Sequence, residues 1–204
     1  MERTSSPIAG TSEDGRRAGR ERNRNAVVDA LLDLYQKGVV SPGAQDIADR
    51  SGVSRRSVFR YFDDMDDLDR TAIERHTARV IHLFELEGAG EGPLPNRIER
   101  LAAQRARLFE AIAPVRRIAM MRASTHPVIA GELARSVSFL RAQVNRHFAP
   151  ELDALDADAG RETLAAAAVL TSFEAFDAMR REQGLTLAET AATVRRGLTA
   201  LLSR

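Results

Sequence analysis

Residues 41 to 68, SPGAQDIADRSGVSRRSVFRYFDDMDDL, constrain the fold more than any other stretch. Ala48 lies four residues before Gly52 and five before Val53, and Val58 and Tyr61 follow at helical spacing. A small Ala48 lets two helices cross closely, and Gly52 can take the left-handed conformation that ends the first of them. Ile47, Val53 and Val58 supply an apolar wedge, and Ser54 can cap the second helix. The pattern predicts helix, three-residue turn and helix, an arrangement whose second helix lies in the major groove of DNA.

Composition supports that reading only locally. The net charge of the 204 residues is +1, which announces no nucleic-acid binder. The distribution is more telling: Arg16, Arg17, Arg20, Arg22 and Arg24 form one cluster, and Arg55, Arg56 and Arg60 another. Local clusters set the field at a phosphate backbone. With 44% hydrophobic and 29% charged residues the chain reads as soluble, with no membrane partner. No apolar run approaches the roughly 20 residues that span a bilayer, and no signal-peptide core is visible. The absence of cysteine suits a reducing cytoplasm and removes thiolate metal sites.

Along the chain, residues 1 to 19 are polar and charged and are expected to be a disordered arm, either a solvated tail or a segment that touches phosphates. A first helix is expected from about Arg20 to Asn25 onward, with Val28, Leu31, Leu32 and Tyr35 on one face. Acids from Asp63 to Asp67 suit the N-terminus of a fourth helix, which should run to the GAGEGPLP segment at 88–95. Further helices are expected at about 96–112, 114–124, 127–148, 160–183 and 186–202. No stretch alternates with period two, so the predicted fold is all-α. The 160–183 helix carries small residues on one side and Leu170, Phe173 and Phe176 on another, as either a central core helix or one that also meets a second copy.

The segment IADRSGVSRRSVFRYFDDMDDL resembles the N-terminal signature of the tetracycline-repressor (TetR) family: Ile47 and Ala48, the Gly52–Ser54 turn, Phe59 with Tyr61 and Phe62, and Asp66 to Leu68. The resemblance implies an N-terminal three-helix helix-turn-helix domain at 20–68. A helical bundle at 69–204 would then dimerise and bind ligand. It also implies a ligand-responsive regulator, most readily a cytoplasmic repressor, that binds an inverted-repeat operator in double-stranded DNA as a homodimer. A small, largely hydrophobic effector would release it, with no cofactor. In such regulators the last two long helices pair across a two-fold axis, which points to Leu164, Ala168, Ala175, Leu187, Val194 and Leu198. Family members also use the position of Gln45 for a base or phosphate contact. Two departures stand out: the usual Tyr is Phe59, and the usual Lys near the fourth helix is Met65. A helical-bundle enzyme or carrier, or a protein-interaction module, is the alternative.

Candidate chemistry concentrates in two places. Arg55 and Arg56 occupy the first turn of the recognition helix, and an Arg fork matches guanine O6 and N7. Ser54, Ser57 and Tyr61 offer hydroxyls to phosphates, and Arg60 can serve either purpose. The second place is the helical remainder, where Phe109, Met120, Met121, Phe139, Phe173 and Phe176 are either core filling or the wall of an apolar ligand pocket. Arg105 falls within the apolar face Ile98, Leu101, Ala102, Leu108, Phe109 and Ile112. It must meet an internal acid such as Glu174, meet an anionic ligand, or snorkel to the rim. No nucleophile elbow, phosphate loop or di-iron motif is present, and the four histidines are too scattered to suggest a metal site.

Overall fold

The computed structural model describes residues 10–203, and among these every regular element is helical. The chain forms two compact units that divide between His76 and Thr77, so the boundary expected after Leu68 moves into the fourth helix.

In the first unit, helix α1 (Gly10–Gln36) begins earlier than the sequence suggested. The expected arm at 1–19 is therefore helical from Gly10, and residues 1–9 lie outside the described residues. The added turns carry Gly10, Gly15 and Gly19, which oppose a helix, but no proline interrupts them. Val27, Val28, Leu31, Leu32 and Tyr35 of α1 are buried, as are Ile47 and Ala48 of α2 (Ala44–Ser51) and Val58 of α3 (Arg55–Tyr61). Leu68 and Ala72 add the first half of α4 (Met65–Val80) to this core. Polar ties reinforce it: the Tyr35 hydroxyl donates to buried Asp69 at 2.5 Å, and Arg75 pairs with Asp29 at 3.2 Å.

The second unit starts with the end of α4 and a 3-10 turn, Ile81–Phe84. It continues with α5 (Leu94–Arg122), α6 (Pro127–His147), α7 (Ala149–Leu152), α8 (Ala157–Leu170), α9 (Phe173–Arg181) and α10 (Leu187–Leu202). Helix α5 is the spine, packed against α6, α9 and α10, while α8 packs on α6 and α10. Two expected boundaries differ. Residues 96–112 and 114–124 form one helix with Pro114 inside it, because Ile112, Ala113, Val115 and Ile118 continue the buried face across the proline. An interior proline costs about 3 kcal/mol, and burial on both sides offsets it. Conversely, the 160–183 helix is broken. Thr171 ends α8, its hydroxyl bonding the Ala167 carbonyl at 2.7 Å, and the Ser172 hydroxyl caps α9 by accepting from Ala175 N at 3.1 Å.

The loop before α5 is held by two buried side chains. His147 Nδ1 accepts from Gly90 N at 3.2 Å, and its Nε2 faces the Arg97 carbonyl at 2.8 Å, which places the ring proton on Nε2. Burial is the main cause holding the His147 pKa below its ordinary value, so the ring is neutral. Arg97 forms a two-pronged pair with Glu151 and donates to Gly92 O at 3.0 Å and His147 O at 2.8 Å.

Candidate nucleic-acid interface and an interior polar cluster

The helix-turn-helix is assembled by local rules. Asp46 accepts from Gly43 N at 2.8 Å and starts α2. Gly52, at φ 71°, ends it by sending its N–H to Ala48 O at 3.0 Å, in a conformation a Cβ would oppose. The Ser54 hydroxyl then caps α3 by accepting from Ser57 N at 3.3 Å, and it also donates to the Ser57 hydroxyl at 3.0 Å. Val53 and Val58 turn inward. That leaves Arg55, Arg56, Phe59 and Arg60 on the outer face.

Arg55 and Arg56 are exposed, and among the described residues neither is engaged in an ion pair. Phe59 is 49% exposed, so the aromatic ring that replaces the usual tyrosine lies on the surface rather than in the core. Gln45 is exposed on α2, with its amide donating to Asp49 at 2.7 Å. Tyr61 departs from expectation. Its ring is buried, and its hydroxyl accepts from Asn23 at 3.4 Å and Arg60 Nη2 at 3.0 Å. Those two donors lower the Tyr61 pKa and tie α3 to α1, so the hydroxyl is a brace before it is a phosphate ligand. Arg24, read as part of the basic arm, stacks over Phe62 at 4.8 Å. Arg16, Arg17, Arg20 and Arg22 are exposed on the early turns of α1, where the arginines ride on a helix rather than a loose arm.

In the second unit, the expected pocket residues split into groups. Phe109, Phe173 and Phe176 form one buried cluster, with Phe109 5.6 Å from each of the other rings. Phe139 is half exposed and packs edge-on against Phe84 at 6.1 Å, in a groove of about 430 Å³ that also includes Ile81, Leu86, Gln143 and Arg146. Met120 and Met121 are exposed and belong to neither group, because the last turns of α5 carry them outward.

Arg105 is 2% exposed, which removes snorkelling. Glu174, its suggested acid, instead faces Arg116 at 3.7 Å. Arg105 Nη1 donates to Gln104 Oε1 at 2.6 Å and Gln143 Oε1 at 2.9 Å, and Nη2 to Leu140 O at 3.1 Å. Burial lowers its pKa to about 10, still protonated at neutral pH, with no carboxylate opposing the shift. Gln104 and Gln143, which the sequence reading missed, pass the arrangement on. Their amide nitrogens donate to the Leu83 and Phe84 carbonyls of the 3-10 turn, both at 2.5 Å. A cavity of about 10 Å³ lies beside Arg105, lined also by Phe109, Leu170, Thr171, Phe176, Thr190 and Val194.

The expected interface residues also divide. Val194 and Leu198 are buried in the unit's own core with Leu101 and Phe148, and Leu164, Ala175 and Leu187 pack partly against the two cores. Ala168 is half-buried. The outward faces carry Ala165, Ala166 and Val169 on α8, and Ala188, Ala192 and Ala200 on α10, with Val169 68% exposed.

A capped recognition helix with unpaired arginines on a three-helix scaffold defines a helix-turn-helix DNA-binding protein. Residues 30–69 match the family model of bacterial regulatory proteins, tetR family. The fold is similar to a solved transcriptional regulator from Rhodococcus sp. Rha1, with a TM-score of 0.66 and 18% identity over 90% of this chain and 95% of that one. It is also similar to a proposed transcriptional regulator from Streptomyces coelicolor A3(2), with a TM-score of 0.57 and 20% identity over 90% of this chain and 99% of that one. No curated protein matches the sequence. Residues 30–69 of the chain thus carry the DNA-binding segment of the tetR family of bacterial regulatory proteins. No helix among the described residues is long and apolar enough to cross a membrane.

Proposed function

We propose that this regulator is a cytoplasmic repressor that binds an inverted repeat in double-stranded DNA as a homodimer and leaves it when a small, largely hydrophobic effector binds the second unit. The observation that carries the reading is the exposed, unpaired Arg55–Arg56 pair in the first turn of α3. An unpaired surface arginine gives up little to meet a base edge or phosphate, whereas a paired one must first lose its partner. Arg60 has the weaker claim to a base contact, because it is already bonded to Tyr61. Ser54 and Ser57 sit where a recognition helix approaches phosphates.

Homodimerisation is supported by the outward small-residue faces of α8 and α10, which let a second copy approach closely. The interface is therefore drawn through Ala165, Ala166, Val169, Ala188 and Ala192 rather than through Val194 and Leu198. Release requires the effector to favour a conformation that does not fit the operator, since tight binding to both conformations would shift nothing. The test is a mobility-shift assay with genomic fragments flanking the protein's own gene, parallel with Arg56→Ala. Selective retention of a fragment containing an inverted repeat, lost in the variant, is expected. Equal binding of all fragments by both proteins refutes the reading.

A further inference from the structure

Three arginines of α5 are buried: Arg97, Arg105 and Arg116. Arg97 has Glu151 and Arg116 has Glu174. Arg105, the most deeply buried of the three, has no carboxylate among the described residues, and only neutral oxygens meet it. A buried charge without a countercharge is costly, so a fold that keeps one invites a partner from outside the chain.

Two buried donors beside one cavity are unfilled. Arg105 Nε is buried with no hydrogen-bond partner, and so is Thr190 Oγ1 on α10. Both residues line the cavity of about 10 Å³ between α5, the α8–α9 junction and α10. Apart from Thr171 and Ser172, its remaining wall is apolar, including Phe109, Leu170, Phe176 and Val194. We propose that Arg105 and Thr190 form an internal anion site for the carboxylate of a small apolar acid, and that this acid is the effector, an inference that rests on the regulator reading above. The free Nε–H and the second hydrogen of Nη2 give a carboxylate two parallel donors, and the Thr190 hydroxyl gives a third. One guanidinium and no second cation on the wall suit a monoanion rather than a phosphate or sulfate dianion.

In the closed state the cavity has room for about one water. An acid must therefore widen it, and the wall suited to yield is the Thr171–Ser172 break, where the helical ladder is already interrupted. Binding there has a built-in route outward. The other edge of Arg105 orients Gln104 and Gln143, whose amides hold the two carbonyls of the 3-10 turn that directly follows α4 in the chain. A carboxylate that draws the guanidinium toward Thr190 lengthens the glutamine bonds and frees that turn.

The test titrates the full chain, in chloride-free buffer, with straight-chain monocarboxylates from acetate to octanoate, reading heat and melting temperature. Saturable binding that tightens with chain length is expected, and the corresponding primary amides should bind far more weakly. Thr190→Val, nearly isosteric, should weaken binding about tenfold and Arg105→Met about a hundredfold, the scale of charge-assisted hydrogen bonds. Should Arg105→Met fail to fold, Thr190→Val and the amide series decide. No acid binding, equal binding of acids and amides, or a response to chloride alone that acids do not displace overturns the site. A mobility shift separates the two readings. Operator binding without any acid binding sinks this inference and leaves the regulator standing, whereas acid binding that leaves operator affinity unchanged sinks the acid's role as effector.

Discussion

Leu198 and Val169 separate folding from dimerisation. Leu198 is fully buried in the core of the second unit, while Val169 is 68% exposed on the outer face of α8. Truncating a fully buried leucine to alanine costs about 2.7–5 kcal/mol through lost transfer energy and the cavity left behind. For a chain of this size each kcal/mol moves the melting point by about 2–4 °C, so Leu198→Ala should melt about 5–20 °C below the parent. Val169→Arg removes no intramolecular packing of that kind, and surface substitutions usually stay within about 0.5 kcal/mol. It places a charge at the centre of the proposed two-fold contact and should yield folded monomers. Sedimentation equilibrium and thermal melts over a range of concentrations measure both effects. The parent's melting point should rise with concentration, and that of Val169→Arg should not, because only a dimer couples stability to concentration. A dimer that survives Val169→Arg refutes the interface; an unchanged melting point for Leu198→Ala refutes the core assignment.

Arg56→Ala should weaken operator binding by about 1–3 kcal/mol and relax the preference at one base position per half-site, measured by binding to a set of single-base operator variants. His147 has its pKa depressed below 6.5, chiefly by burial, so the unfolded chain takes up its proton first. Its contribution is complete above about pH 6.5 and is lost as pH falls through the folded-state value. Urea midpoints at pH 7.5 and pH 5.5 should therefore differ for the parent, and by less for His147→Gln. Glu151→Ala should destabilise by about 2–4 kcal/mol, because Arg97 is left buried without a countercharge, discounted for the partial exposure of Glu151. Denaturant unfolding of the double mutant with Arg97→Met should recover much of that loss.

The recognition domain was legible because its signals are local. Gly52, Ser54 and the spacing of Ile47, Val53 and Val58 act within a few residues, and the structure uses each for the reason the sequence suggested. The burial of Tyr61 was not legible, since its hydroxyl is held by Asn23 from a different helix. Pro114 misled because a local breaker was weighed without the in-phase apolar face on both sides of it. The Thr171–Ser172 break did leave a sign, two hydroxyl residues in succession able to end one helix and cap the next, which the apolar periodicity overshadowed. Periodicity showed that α10 has an apolar seam but could not say what it packs against; Val194 and Leu198 turn into the core of the second unit. Arg105 was visible as an anomaly on an apolar face, but of the two glutamines that hold it only Gln104 is its chain neighbour; Gln143 comes from another helix that only the fold brings to it.

Gly197 gives the α8–α10 contact a mechanical character. A Cβ at this position would lie 2.5 Å from Leu170 Cδ2, so the backbone of α10 bears directly on the side chain of the last residue of α8. Leu170 is also a wall of the cavity beside Arg105. The contact sets bare backbone against one leucine side chain: a change in the spacing of the two helices moves Leu170, and with it the volume of the cavity that Leu170 walls. Pressure on the outer face of α10 and the size of the space next to the buried guanidinium are thus two readings of one distance.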